Sequence, residues 1–163
     1  MSVIKTFLLL AIVSLSLKAG TNDIDKIKKS VIGYNMQLIE AAKNEAFLES
    51  FDDIKKLERF AEKRVAQKLY IWIKSWHEND LFMDARLLDI TFGKIVPKNG
   101  TADVITDEVW LYRYIRHKSV NEKKEAFPPA KKHYKVKYSL KKSDKGWKIT
   151  SIDVFFEKEE SLK

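Results

Sequence analysis

Apolar positions along the chain follow two different periods. From Ile24 they recur at three- and four-residue steps through Ile27, Val31, Tyr34, Leu38 and Ala41, which predicts a helix with one apolar face. Asn22 can cap it, with Asp23 and Asp25 in its first turn. Ser50, followed three residues on by Asp53, resembles a capping arrangement and opens a second pattern: Ile54, Leu57, Ala61, Val65, Leu69, Trp72 and Trp76. It predicts one helix of about 25 residues ending near Asn79. From Tyr70 to Ile73 the apolar character runs right round this helix, so its end is expected to be sunk between other elements.

After Asp80 the period becomes two. A strand is expected over about 86–96, then a hairpin turn at Asn99-Gly100, then a strand from Ala102 to about Arg116. The second strand sets Ala102, Val104, Thr106, Glu108, Trp110, Tyr112 and Tyr114 on one side. Ile105, Val109, Leu111 and Ile115 take the other, so both faces are expected to be at least partly covered. A long loop through Pro128-Pro129 leads to a third strand, where Tyr134, Val136, Tyr138 and Leu140 alternate with His133, Lys135, Lys137, Ser139 and Lys141. A turn at Ser143 to Gly146 opens a fourth strand from Trp147 to Phe156, with a change of parity near Ser151. The segment Glu157 to Glu160 reads as a solvated end.

Helices first and strands second predict an α+β domain, with N-terminal helices packed on a curved four-stranded antiparallel sheet. Ahead of it stands Lys5, an apolar run from Phe7 to Leu17 and a small residue at Ala19, the pattern of a cleaved export signal over residues 1–19. Eleven residues fall short of the roughly 20 that span a bilayer. Residues 20–163 then form one domain, in the periplasm or secreted. The chain has no Cys, which excludes disulfides, thiolate metal sites, Cys nucleophiles and a lipoprotein. Three His, far apart, argue against a metal centre, and no cofactor is expected.

Certain short motifs carry a resemblance: Ala102-Asp103-Val104, Glu108-Val109-Trp110-Leu111-Tyr112, Tyr134 to Leu140 and Gly146-Trp147-Lys148-Ile149. Over residues 55–157 the chain resembles the cone-shaped superfamily of nuclear transport factor two, which also holds ketosteroid-isomerase-like and polyketide-cyclase members. Trp72, Trp76 and Asp80-Leu81 look like exported bacterial members, some attached to peptidoglycan-trimming enzymes. Other elements look like membrane-associated domains related to the Tim-type import component. The resemblance implies a cone-shaped, cystatin-like sheet with a cavity between the long helix and its concave face. It also implies a convex face able to support a homodimer. It does not imply one function, because the superfamily hosts enzymes, adaptors and scaffolds.

An enzyme would use that cavity, and by residue type its acids, bases and donors would be Asp89, Glu108, Tyr112, Tyr114 and His133. Strand parity turns Asp89 and His133 outward. Glu108 is the one catalytic candidate, with a competing role as cross-strand partner of Lys137 or Arg113. Trp72, Trp76, Trp110, Tyr112, Tyr114, Tyr134, Tyr138 and Trp147 are expected either to build the core or to line a ligand pocket.

Charge is uneven. Residues 21–80 hold eleven acids and eleven bases, whereas 113–148 hold thirteen Lys or Arg against three acids. A basic docking face is therefore expected at Arg116, Lys132, Lys135, Lys137 and Lys141. The export signal turns this away from nucleic acid and towards an envelope protein, a cell-wall component or another anionic surface. The expectation is a non-enzymatic envelope binding or scaffold module, the alternative a small-molecule binder or isomerase-like enzyme working from the cavity.

Overall fold

Helices and strands segregate along the chain as the two periods require. The computed structural model describes residues 3–119 and 122–162, with side chains described over 22–117, 122–160 and at Leu162. The side chains of the expected export signal, and its cleavage after Ala19, lie outside this description. Among the described residues no helix is long and apolar enough to cross a membrane.

Helix α1 (Val3–Lys43) contains the expected start at Asn22 inside it, so Asn22 is not its cap. Its apolar stripe is placed as its spacing demands: Ile27, Val31, Tyr34 and Ala41 are buried against the sheet. Two short turns follow, Glu45–Leu48 and Phe51–Asp53, then α2 (Ile54–Leu57) and α3 (Lys63–His77). The Ser50 backbone N–H does donate to the Asp53 carboxylate, at 2.9 Å.

The single long second helix is corrected. The chain breaks between α2 and α3, where Phe60, Ala61 and Glu62 join the sheet edge. Glu62 N–H donates to the Ile149 carbonyl at 2.8 Å, and Ile149 N–H to the Phe60 carbonyl at 2.9 Å. Helical spacing continues across the break, but these two edge bonds replace the helical ones. The expected burial of the next segment fails too. Ile71 is 66% exposed and Trp72 41% exposed.

The strands β1 (Leu81–Phe92), β2 (Thr101–Ser119), β3 (Glu122–Ser143) and β4 (Gly146–Ser161) form an open antiparallel sheet in the order β1-β2-β3-β4. Strand β1 starts and ends earlier than expected. The Asn99-Gly100 turn is formed with both residues at positive φ, 51° and 72°. The expected loop at Pro128-Pro129 is instead a bulge within β3. Tyr112 pairs with Ala130 and Tyr114 with Phe127, which leaves both prolines opposite Arg113. Two further bulges lie in β4: the one at Thr150 matches the predicted change of parity near Ser151, and the one at Phe155 is additional. Such bulges bend the strands and turn the sheet's buried face concave.

The concave face is buried under α1 and α3, with Val104, Thr106, Val136, Leu140 and Ile149 at its centre. The opposite face is less covered than expected, since Ile105 is exposed. At Gly33 the backbone of α1 comes so close to Phe60 that a β-carbon there would lie 2.5 Å from the ring.

Candidate pocket around Glu108

Alternation along β2 sends Glu108 inward with Val104, Thr106, Trp110 and Tyr112, as the sequence pattern requires. There it is 3% exposed, in the company of aromatic rings. Its Oε1 accepts hydrogen bonds from the Thr106 hydroxyl at 2.7 Å and the Tyr138 hydroxyl at 2.8 Å. Its Oε2 accepts from Trp110 Nε1 at 2.8 Å. The Asn35 amide of α1 donates in turn to the Tyr138 oxygen at 3.3 Å. Among the described residues no cation pairs with this carboxylate, so the expected cross-strand partnership with Lys137 or Arg113 does not form. Lys137 pairs with Asp103 at 2.9 Å, and Arg113 with Glu125 at 3.5 Å.

A cavity of about 350 Å³ opens beside Glu108, between α1 and the inner face of β2, β3 and β4. The wall facing the sheet is α1, not the second helix as expected. Trp110, Tyr112, Tyr134 and Tyr138 line it as expected aromatics, joined by Tyr34 and Asn35. Val154, more than half exposed, stands at the β4 edge of the opening. Burial pushes the Tyr34, Tyr112 and Tyr138 hydroxyls well above the ordinary tyrosine range, and the negative Glu108 adds to it at Tyr138. They therefore stay protonated at neutral pH. Among the described residues no His, Asp, Lys or Arg lines the cavity, and its second carboxylate, Glu157, is exposed and paired with Lys132.

Other expected pocket residues lie elsewhere. Trp72 and Trp76 sit outside the cavity and form a ring contact with each other at 5.6 Å. Trp76 stacks on Tyr114 at 5.3 Å, Tyr114 on Tyr112 at 6.2 Å, and Tyr112 on Trp110 at 5.8 Å. Trp72, Trp76, Tyr114, Tyr112 and Trp110 thus form one run of ring contacts of which only Tyr112 and Trp110 line the pocket, while Tyr138 lines it from β3 and Trp147 lies outside it. Asp89 is exposed and His133 half-buried beside Glu160, both away from the cavity.

The lysines of the expected docking face are mostly paired. Lys135 meets Asp107 at 3.5 Å directly across the β2–β3 ladder. Lys132, its side chain only 17% exposed, bridges Glu157 at 2.8 Å and Glu159 at 3.1 Å. The Glu157 hydrogen bond holds the Lys132 ammonium above the ordinary lysine range. Glu157 to Glu160 belongs to β4, exposed at 157–159 as expected but tied to β3 through Lys132. Arg116 and Lys141 are exposed. Among the described residues no group of three or more His, Cys, Asp or Glu is placed to hold a metal ion.

Fold and pocket together define a class: helices laid on an open, curved antiparallel sheet with an aromatic cavity on its concave side. No protein-family model matches the chain, and no curated protein matches it. Among solved structures the chain is similar to the intermembrane-space region of the chloroplast protein ARC6. That likeness has a TM-score of 0.59 at 17% identity, covering 78% of this chain and 92% of that one. At this identity the likeness carries the fold. The architecture is compatible with that of the nuclear-transport-factor-two-like superfamily.

Proposed function

We propose that this chain is a non-catalytic binding domain of the nuclear-transport-factor-two-like class, acting in a cell envelope. Its concave pocket receives a small molecule or a partner's side chain. The observation that carries this is the open cavity whose buried wall holds the accepting Glu108 carboxylate among neutral partners, while the other lining carboxylate, Glu157, is exposed at the β4 edge and already paired with Lys132. Trp110 Nε1 can only donate, so Oε2 serves as an acceptor and has capacity for one further donor. The ligand is then an apolar group bearing a hydrogen-bond donor, its apolar part resting on Tyr112 and Tyr134.

The envelope part of the reading is supported by the apolar run Phe7 to Leu17. The location of the ARC6 region, an intermembrane space, is in keeping with it. Docking through Lys135 and Lys137 has less support, because each already has an aspartate partner.

Native mass spectrometry of the chain isolated from envelope fractions tests the proposal. A bound molecule or partner is expected with the wild type and absent from Val154→Trp, which fills the mouth at an exposed position. Retention of the same species by Val154→Trp would overturn the pocket reading. Turnover of the bound molecule, abolished in Glu108→Gln, would replace it with an enzymatic one.

A further inference from the structure

A second cavity, of about 500 Å³, shares no residue with the Glu108 pocket. Three distant segments meet there: the α1 turn with Lys26 and Lys29, the break after α2 with Arg59 and Phe60, and the β3–β4 hairpin with Lys142 and Lys145. Five cations face one lining carboxylate, Asp144. Among the described residues Lys26, Lys29, Arg59 and Lys145 form no ion pair, in contrast to Lys132, Lys135 and Lys137 on the sheet.

We infer that this cleft is a binding site for a phosphate-bearing anion. Like charges gathered around a concave surface raise the local potential and draw in an anion. The walls are already tied together. Asp23 accepts from Lys142 at 3.0 Å and from Trp147 Nε1 at 3.2 Å, and the Ser30 hydroxyl donates to the Trp147 carbonyl at 2.7 Å. These bonds fix the helix against the hairpin, so little ordering is left for a ligand to impose. The Arg59 guanidinium carbon lies 5.3 Å from the Phe60 ring centroid, and a planar guanidinium fork at the cleft is suited to two parallel bonds to phosphate oxygens. Lysines on two other sides then neutralise the remaining charge. Several converging cations suit a doubly charged phosphate better than a single carboxylate.

The phosphate can belong to an anionic lipid headgroup or to a soluble phosphate ester, and two probes separate these sources. The chain isolated from cells is titrated with phosphatidylcholine vesicles, with and without phosphatidylglycerol, and separately with inorganic pyrophosphate. Vesicles lacking phosphatidylglycerol give the contribution of the apolar Phe7 to Leu17 run. Expected is binding to at least one anionic probe, weakened by about tenfold or more in the double variant Lys29→Glu with Arg59→Glu. It should be unchanged in Lys135→Glu with Lys137→Glu. Lys29→Gln with Arg59→Gln, which only neutralises, is expected to lie between the two and reports on any variant that folds poorly. Binding to phosphatidylglycerol alone assigns the lipid source, and binding to pyrophosphate assigns the soluble one. Absence of binding to both probes overturns the inference, as does equal loss in the sheet-face variant. The Glu108 pocket stands or falls separately, because none of these residues lines it.

Discussion

The two cavities follow opposite electrostatic plans. Around Glu108 a single charge is buried and every partner is neutral: a hydroxyl, a phenol and an indole. Around the hairpin cleft the charges are many and mostly positive, five cations against Asp144, and among the described residues only Lys142 of the five forms an ion pair. The contrast teaches that charge density along a chain says little about where a partner binds. Residues 113–148 contain most of the excess basic charge, yet β2 and β4 supply Asp103, Asp107, Glu157 and Glu159 opposite their lysines. The unpaired cations come mainly from segments that are neutral in sequence.

The buried plan should break most severely. Glu108→Ala leaves three donors facing a void, and we expect a loss of about 3 kcal/mol or more in urea unfolding. A loss below about 1 kcal/mol would show the carboxylate to be dispensable to the fold. Gly33→Val tests the shared frame. Its side chain would collide with the Phe60 ring that lines the cleft, at an expected cost of about 1–3 kcal/mol. Anion binding should fall while occupancy of the Glu108 pocket persists, and parallel loss of both would merge the two sites into one cooperative unit.

Acid sharpens the comparison more gently. Hydrogen bonds from Lys142 and Trp147 hold the Asp23 carboxyl below its ordinary value, Ser139 and Lys137 do so for Asp103, and Lys56 and Ser50 bring Asp53 down to about 2. Because these folded-state values are depressed, their stabilisation is complete above the ordinary value of 3.8 and is lost as pH falls through the folded ones. The urea midpoint should therefore drop between about pH 5 and about pH 2. Asp23→Asn should blunt the drop while tightening anion binding at neutral pH, since it frees Lys142. The smallest effect belongs to the sheet surface. Lys135→Gln with Lys137→Gln should alter stability by no more than about 1 kcal/mol, as exposed pairs do.

Much of the fold could be read from local pattern. Alternation alone placed Glu108, Trp110, Tyr112 and Tyr138 on one inward face, and helical spacing placed Ile27, Val31 and Tyr34 beneath α1. What escaped depended on contacts between distant segments. Nothing near Ala61 announces that Ile149 will take its neighbours' hydrogen bonds and end a helix. The prolines at 128 and 129 argue for a loop until the bulge opposite Arg113 accommodates them. Tyr34 and Tyr134 were visible as inward residues, but Asn35 gave only a faint signal, a lone amide beside the apolar stripe of α1. The cleft showed only its hairpin side, Lys142 and Lys145 in the basic tract, because its other cations stand far off in sequence at 26, 29 and 59.

The aromatic stack gives the molecule a built-in optical reporter. Rings in contact run from the exposed Trp72 through Trp76, Tyr114 and Tyr112 to Trp110, whose indole N–H is held by Glu108. Indole emission responds to the polarity and hydrogen bonding around the ring, and neighbouring chromophores couple in the near-ultraviolet. A ligand that displaces water from the Trp110 end should change both the emission and the circular dichroism of the unlabelled chain, with Trp72 at the surface as an internal reference. Occupancy of the pocket can then be followed by light alone, before the ligand has been identified.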